Sequence, residues 1–183
     1  SNEEIVIDLN ERDMLINNKD MVYPLINSGG WGFYYSSYSK DHLYRIAENL
    51  NLLSTNEKYR LIEDAWATIR IGNLDLETFM VIVSSYKEET DVDLWTLISG
   101  YVSTIERVIQ ENNKESFYGW VAELVEYNYN NLGFEPKDGE SQEIRQLRTI
   151  IVRIKALHSG DEQILKLSSE LFKNKEMEKI KDG

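Results

Sequence analysis

Residues Leu53–Leu74, LSTNEKYRLIEDAWATIRIGNL, constrain the fold most, because they carry an entire amphipathic helix with its own start and stop signals. Ser54 stands as an N-cap with Glu57 three residues on, the pattern in which two side chains satisfy the orphan N–H groups of a helix start. Leu61, Ile62, Ala65, Trp66 and Ile69 recur on one face of a 3.6-residue helix, while Arg60, Glu63 and Arg70 fall largely elsewhere. Gly72 closes the helix. A helix with one apolar face packs against another element.

The same grammar repeats from Ser39 onward. Ser39 caps a first helix through about Leu52, with Leu43, Ile46, Ala47 and Leu50 inward. The Ser54 helix is second, and Asp75 caps a third that runs through Phe79, Ile82 and Val83 to about Tyr86. Asp91 starts a fourth, striped by Trp95, Ile98, Tyr101, Val102, Ile105 and Ile109. The fifth spans about Lys114 to Asn131, inward at Phe117, Trp120, Val121, Leu124 and Val125. Leu132 to Glu140 is a loop marked by Gly133, Pro136 and Gly139. Ser141 caps a sixth helix with Ile144, Leu147, Ile151, Ile154 and Leu157 inside; Gly160 stops it, and Asp161 caps a seventh with Ile164, Leu167, Leu171 and Phe172 inside. Successive antiparallel pairs with short connections predict a mainly α chain, an α-α superhelix of HEAT-like hairpins.

Ahead of the helices, Glu4–Leu9 and Met21–Ile26 read as two short strands forming a β-hairpin, with Pro24 placing the second at an edge or ending it early. Asn27–Tyr38, NSGGWGFYYSSY, joins freed backbone to a large aromatic mass. It lacks the G-x-G-x-x-G spacing of a phosphate loop and reads as a structural junction. The lysine-rich tail KNKEMEKIKDG reads as a solvated helix end.

Composition removes several function classes. A formal net charge of -12 repels a phosphate backbone, so nucleic acid is not an expected partner. There is no cysteine and only His42 and His158, so neither a disulfide framework nor a histidine-rich metal site is expected. No apolar run approaches the roughly 20 residues that span a bilayer, and no membrane partner is expected. The opening Ser-Asn, without Met and directly before a strand-like run, reads as a cut into a longer protein.

Four ordered stretches carry a resemblance. Leu61, Ile62, Asp64, Ala65, Gly72 and Leu74 form one cassette. Gly32, Phe33, Tyr34 and Tyr38 form a second, with Tyr35 and Ser36 standing where the pattern G-Y/F-Y-R-V-x-Y has arginine and valine. Lys87, Glu89, Thr90, Asp91 and Trp95 form a third, K-x-E-T-D-x-x-P-W, with Leu94 in place of the proline. Leu132, Gly133, Phe134, Glu135, Pro136, Lys137, Gly139, Glu140 and Ser141, followed by Leu147 and Arg148, form the fourth. Together they resemble zinc aminopeptidases of the aminopeptidase N and puromycin-sensitive type, at the passage from a β-sandwich domain into a C-terminal helical domain.

The resemblance implies that residues 1–38 end the β-sandwich and form the junction, and that residues 39–183 begin the helical domain. It implies an intact cytoplasmic enzyme that removes N-terminal residues from peptides, with peptide substrates and the missing catalytic and β-sandwich domains as partners. Zinc would be the intact enzyme's cofactor. Its H-E-x-x-H and G-x-M-E-N motifs are not in this sequence, so no catalytic or metal residue is expected here and the chain alone is expected to be inactive. Gly32, Phe33, Tyr34, Tyr38, Asp64, Ala65, Gly72, Trp95, Gly133, Glu135, Pro136, Gly139 and Arg148 are then structural residues of the motifs.

The remaining polar candidates read as scaffolding. Arg60 and Asp64 are spaced for an i,i+4 ion pair. Glu88, Glu89, Asp91 and Asp93 lack the glycine and final glutamate of a calcium loop and read as a capped helix start. Tyr127 and Tyr129, with Asn128, Asn130 and Asn131, form either a peptide-lining cluster or a half-buried helix end. The rival to the enzyme-fragment reading is a stand-alone helical-repeat scaffold that binds a protein partner.

Overall fold

Among the described residues seven α-helices form where the capping signals and apolar spacing place them: α1 Lys40–Ala47, α2 Thr55–Arg70, α3 Leu76–Ser84, α4 Val92–Val108, α5 Lys114–Leu132, α6 Gln142–His158 and α7 Glu162–Lys181. The computed structural model describes residue 6 and residues 24–181, and among them there is no strand. The expected strand Glu4–Leu9 lies outside the described residues apart from Val6, as does the first half of Met21–Ile26. Pro24 to Ile26 are not in a strand. No described helix is long and apolar enough to cross a membrane. The chain divides into two compact units, residues 1–82 and 83–183.

In the first unit, α2 starts as its sequence dictates. The Glu57 N–H donates to Ser54 Oγ at 3.4 Å and the Ser54 N–H donates to Glu57 Oε2 at 2.8 Å, a complete capping box. Asp75 Oδ1 accepts the Thr78 N–H at 2.7 Å ahead of α3. Leu43, Ile46, Ala47, Leu61, Ile62, Ala65, Phe79 and Ile82 are buried, and Trp66 sets its ring 5.1 Å from Phe79.

Two expectations shift here. The first helix ends at Ala47 rather than Leu52, because Asn49 leaves helical dihedrals and its side chain donates to the Arg45 carbonyl at 2.8 Å; a 3-10 turn, Leu50–Leu52, follows. The buried face of α2 is centred on Leu61, Ile62, Asp64, Ala65 and Thr68, with Trp66 and Ile69 half-buried. Thr68 can be buried because its hydroxyl donates to the Asp64 carbonyl at 2.8 Å.

In the second unit α6 packs against both α4 and α5, and α7 packs on α6. Its buried side chains include Leu94, Trp95, Ile98, Val102 and Ile105 of α4, Phe117, Val121, Leu124 and Val125 of α5, and Leu147, Ile151 and Ile154 of α6. Tyr101, Ile109 and Trp120 are half-buried.

Ile144 and Leu157, expected inside, are 40% and 52% exposed. They lie in the first and last turns of α6 and roughly 140° apart around its axis, at opposite edges of the stripe. Leu167 is also exposed while Ile164 is buried, because α7, packed on α6, is covered along a narrower stripe than α6, which packs against α4, α5 and α7. The side chains of Leu171 and Phe172 lie outside the described residues.

Gly100 and Gly119 sit within α4 and α5 on exposed faces, and a Cβ at either would meet no atom within 4 Å. Helical glycine carries a backbone-entropy cost that alanine does not. Gly119→Ala is therefore expected to stabilise the chain by about 0.5–1 kcal/mol in a urea titration.

Candidate functional site

The residues singled out by the sequence motifs gather at three joints, each held by side-chain to main-chain hydrogen bonds. The first seats the aromatic segment on α2. Asn27 takes a left-handed conformation, φ 63°, and its side chain closes a ring on Gly32, accepting the N–H at 2.6 Å and donating to the C=O at 3.1 Å. A Cβ at Gly32 would lie 2.3 Å from the Tyr34 ring and 2.8 Å from Asn27 Oδ1, so a side chain here would have to displace one or both. Glu57 of α2 accepts the Gly29 N–H at 2.9 Å, and Arg60 donates to the Tyr34 carbonyl at 2.7 Å.

Phe33, Trp31, Tyr34 and Tyr35 are exposed on this pinned segment. Tyr35, standing where the motif has arginine, lies under the Arg60 guanidinium at 5.6 Å. Tyr38 points the other way, buried, with its hydroxyl accepting the Ile26 N–H at 3.0 Å and donating to the Ile26 C=O at 3.2 Å. Burial pushes that phenol up to about 12.

Arg60 does not take Asp64 as its ion-pair partner. It bonds Glu63 instead, at 3.0 Å, because Glu63 shares the half-exposed flank of α2 while Asp64 faces inward at 2% exposure. Asp64 Oδ1, Ser36 Oγ and Arg60 Nε are buried with no hydrogen-bond partner among the described residues.

Desolvation raises the Asp64 carboxyl above its ordinary range, against the Ser36 N–H and the Arg60 charge. The folded state therefore favours the neutral acid. Its contribution is complete below the unfolded carboxyl's range and is lost as pH rises through the folded value. Asp64→Asn is expected to flatten this part of the stability–pH profile, measured by thermal unfolding from acid to neutral pH.

The second joint is the turn before α4. Asp91 caps the helix, its Oδ1 accepting the N–H groups of Asp93 and Leu94 at 2.9 and 3.0 Å. Proline, which the motif carries at position 94, has no N–H for the second bond. Trp95, fully buried, donates its indole N–H to the Glu89 carbonyl at 2.6 Å. Asn128 of α5 donates to the same carbonyl at 3.0 Å and to the Lys87 carbonyl at 2.9 Å. Asn128 is buried and so is not a groove residue; Tyr127 is exposed, and Tyr129 is half-buried with Lys155 4.9 Å over its ring. Asn128 continues the Phe117, Val121, Leu124, Val125 stripe, which was its only signal in the sequence.

The third joint is the loop from Leu132 to Ser141. Gly133 turns out of α5 at φ 72° and Gly139 turns into α6 at φ 80°, conformations that favour glycine. Glu135, Pro136 and Gly139 are exposed. Arg148, 4% exposed, reaches back from α6 to form a two-pronged pair with Glu140 and to donate to the Leu132 carbonyl at 3.2 Å. Glu140 also accepts the Lys137 N–H at 3.0 Å. Of the other motif positions, Ala65 is buried in α2 and Gly72, φ 79°, ends that helix.

The two histidines differ: His42 Nε2 is buried with no hydrogen-bond partner among the described residues, whereas both ring nitrogens of His158 have one. His42 stands edge-on to Tyr38 at 5.1 Å, and His158 lies between Glu106 and Ser103. Among the described residues no three His, Cys, Asp or Glu side chains gather as metal ligands. These residues do not fit the zinc that the motif resemblance implies for an intact enzyme.

A family model described as the ERAP1-like C-terminal domain matches residues 23–182, which contain all three joints. The chain belongs to the ERAP1-like C-terminal domain family. Among curated proteins it is similar to an alanine/arginine aminopeptidase of Saccharomyces cerevisiae, 24% identical over 90% of this chain and 19% of the relative. It is also similar to a puromycin-sensitive aminopeptidase of Caenorhabditis elegans, 24% identical over 80% of this chain and 16% of the relative. An aminopeptidase N of Lactococcus lactis is 23% identical over 80% of this chain and 18% of the relative. The chain thus spans less than a fifth of the length of these relatives. No solved structure matches it.

Two of the three joints set how a helix begins, and one seats the segment that leads into the helices.

Proposed function

We propose that the chain is the first part of the helical domain of a zinc-dependent aminopeptidase, with residues 1–38 ending the preceding β-sandwich domain and residues 39–183 opening the helical one. The intact enzyme removes N-terminal residues from peptides in the cytoplasm. This part contributes no reacting group. It closes over the metal-bearing domain and limits which peptides reach it, as lids do when they exclude water and gate turnover. The observation that carries the reading is the family match over residues 23–182, supported by aminopeptidases among the relatives. A stand-alone scaffold would leave that family match unexplained.

The test is capture of the native protein from source cells with an antibody raised against this chain. A zinc-containing species several times larger than 21.4 kDa that releases amino acids from peptides is expected. A metal-free species of about the chain's own size, without peptidase activity, overturns the proposal.

A further inference from the structure

On the reading of the chain as part of a longer aminopeptidase, we infer that the aromatic side chains of residues 31–35 form the seat on which the rest of the preceding β-sandwich domain docks.

The sequence sets this segment apart. Residues 21–39 contain no charged side chain, in a chain of which 28% is charged, and Trp31, Phe33, Tyr34 and Tyr35 crowd into its middle. Depletion of charge together with enrichment in aromatic residues is the compositional mark of an interface core. Trp31 is 79% exposed, Phe33 is fully exposed, and Tyr34 and Tyr35 are more than half exposed. A free aromatic side chain presents about 150–250 Å², so the four together offer roughly 600 Å² of aromatic surface. That reaches the upper end of the largest apolar patch on an ordinary monomer, about 300–600 Å², and approaches the roughly 800 Å² that each partner gives to a stable interface.

The backbone under the rings is already ordered. Asn27, Gly29 and Gly30 take positive φ angles of 63°, 71° and 73° and turn the chain back on itself. Two side chains of α2 hold the turn: Glu57 accepts the Gly29 N–H, and Arg60 donates to the Tyr34 carbonyl and stands over the Tyr35 ring. A pinned backbone has little freedom left to lose when a partner docks, and each aromatic side chain has only two torsions to fix. The segment is prepared for a partner.

Tethering decides which partner. The family is described as a C-terminal domain and its match begins at residue 23, while the chain spans less than a fifth of its aminopeptidase relatives. On the proposed reading, the rest of the β-sandwich domain attaches ahead of residue 23, and a fully extended connection from there to Trp31 reaches at most about 30 Å. Two surfaces joined over so short a span meet at an effective concentration on the order of millimolar. A second copy of the chain has no such tether, gives up translational freedom, and sets one formal net charge of -12 against another.

Hydroxyl-radical labelling read by mass spectrometry, on this chain and on the full-length protein, measures the cover on the rings. Oxidation of Trp31 and Phe33 is expected to be about tenfold slower in the full-length protein, as fits side chains in the closed core of an interface. In this chain alone both are expected to react as free side chains do. Phe33→p-benzoylphenylalanine, a photo-crosslinking substitution at a fully exposed position, identifies what lies over them. In the full-length protein the expected crosslink joins position 33 to the preceding domain of the same molecule. Any other crosslinked partner, a second copy or a segment after residue 183 included, or equal oxidation rates in the two proteins, overturns the inference. A full-length protein that binds zinc and cleaves peptides yet gives one of those results keeps the proposed function and loses only this seat; a native protein of the chain's own size loses both.

Discussion

Trp95→Ala is expected to destabilise the second unit by about 3–5 kcal/mol, the range for truncating a large aromatic side chain in a packed core. Trp95 has no solvent exposure, so the truncated site loses dispersion contacts that water cannot replace. It also loses the indole bond to the Glu89 carbonyl. That carbonyl keeps Asn128, so the polar loss is partial and the larger part of the effect comes from the cavity. Trp95→Phe separates the two contributions: it keeps most of the ring volume, removes the N–H, and is expected to cost about 1–2 kcal/mol. Urea unfolding followed by far-UV circular dichroism gives both numbers. Limited trypsin digestion adds a local reading, because Lys87 lies in the turn that Trp95 and Asn128 hold, and cleavage there should accelerate in Trp95→Ala before global unfolding does. A loss below about 1 kcal/mol for Trp95→Ala would mean that the turn is held elsewhere.

How far the sequence reaches can be judged from these same residues. Ser54, Asp91 and Ser141 announce helix starts in local sequence, and the structure places all three as caps. Local signals suffice there because a cap and its N–H partners are two or three residues apart. The Trp95 joint is legible only as a string. Its purpose depends on Asn128, 41 residues from the Lys87 carbonyl that it holds, and no spacing rule spans that distance. Asp64, Asn128 and Arg148 share another reason for being missed as core residues: apolar periodicity cannot point to a buried polar side chain. Ile144, Leu157 and Leu167 show the converse, since periodicity gives the direction of a side chain but not whether a neighbour reaches it.

The second large effect is expected at Arg148. Arg148→Met keeps most of the buried stem but removes every donor. The Leu132 carbonyl at the end of α5 then loses its bond from a charged group, a loss of about 1.5–3 kcal/mol. Arg148→Lys does not rescue it, because one ammonium cannot reproduce a planar fork on Glu140 and a third bond to Leu132. The acid limb carries a separate signature. The hydrogen bond from Arg148 is the main influence holding the Glu140 carboxyl below its ordinary range, helped by the Lys137 N–H. For a carboxyl depressed on folding, the stabilising contribution is present above the unfolded range and is lost as pH falls through the folded value. Thermal unfolding from neutral pH toward acid should thus fall less steeply in Arg148→Met than in the unmodified chain, while starting from a lower midpoint. Parallel acid limbs would mean that Glu140 owes its state to the loop alone. In that case Arg148 would act only by tying α6 to the end of α5 through Leu132.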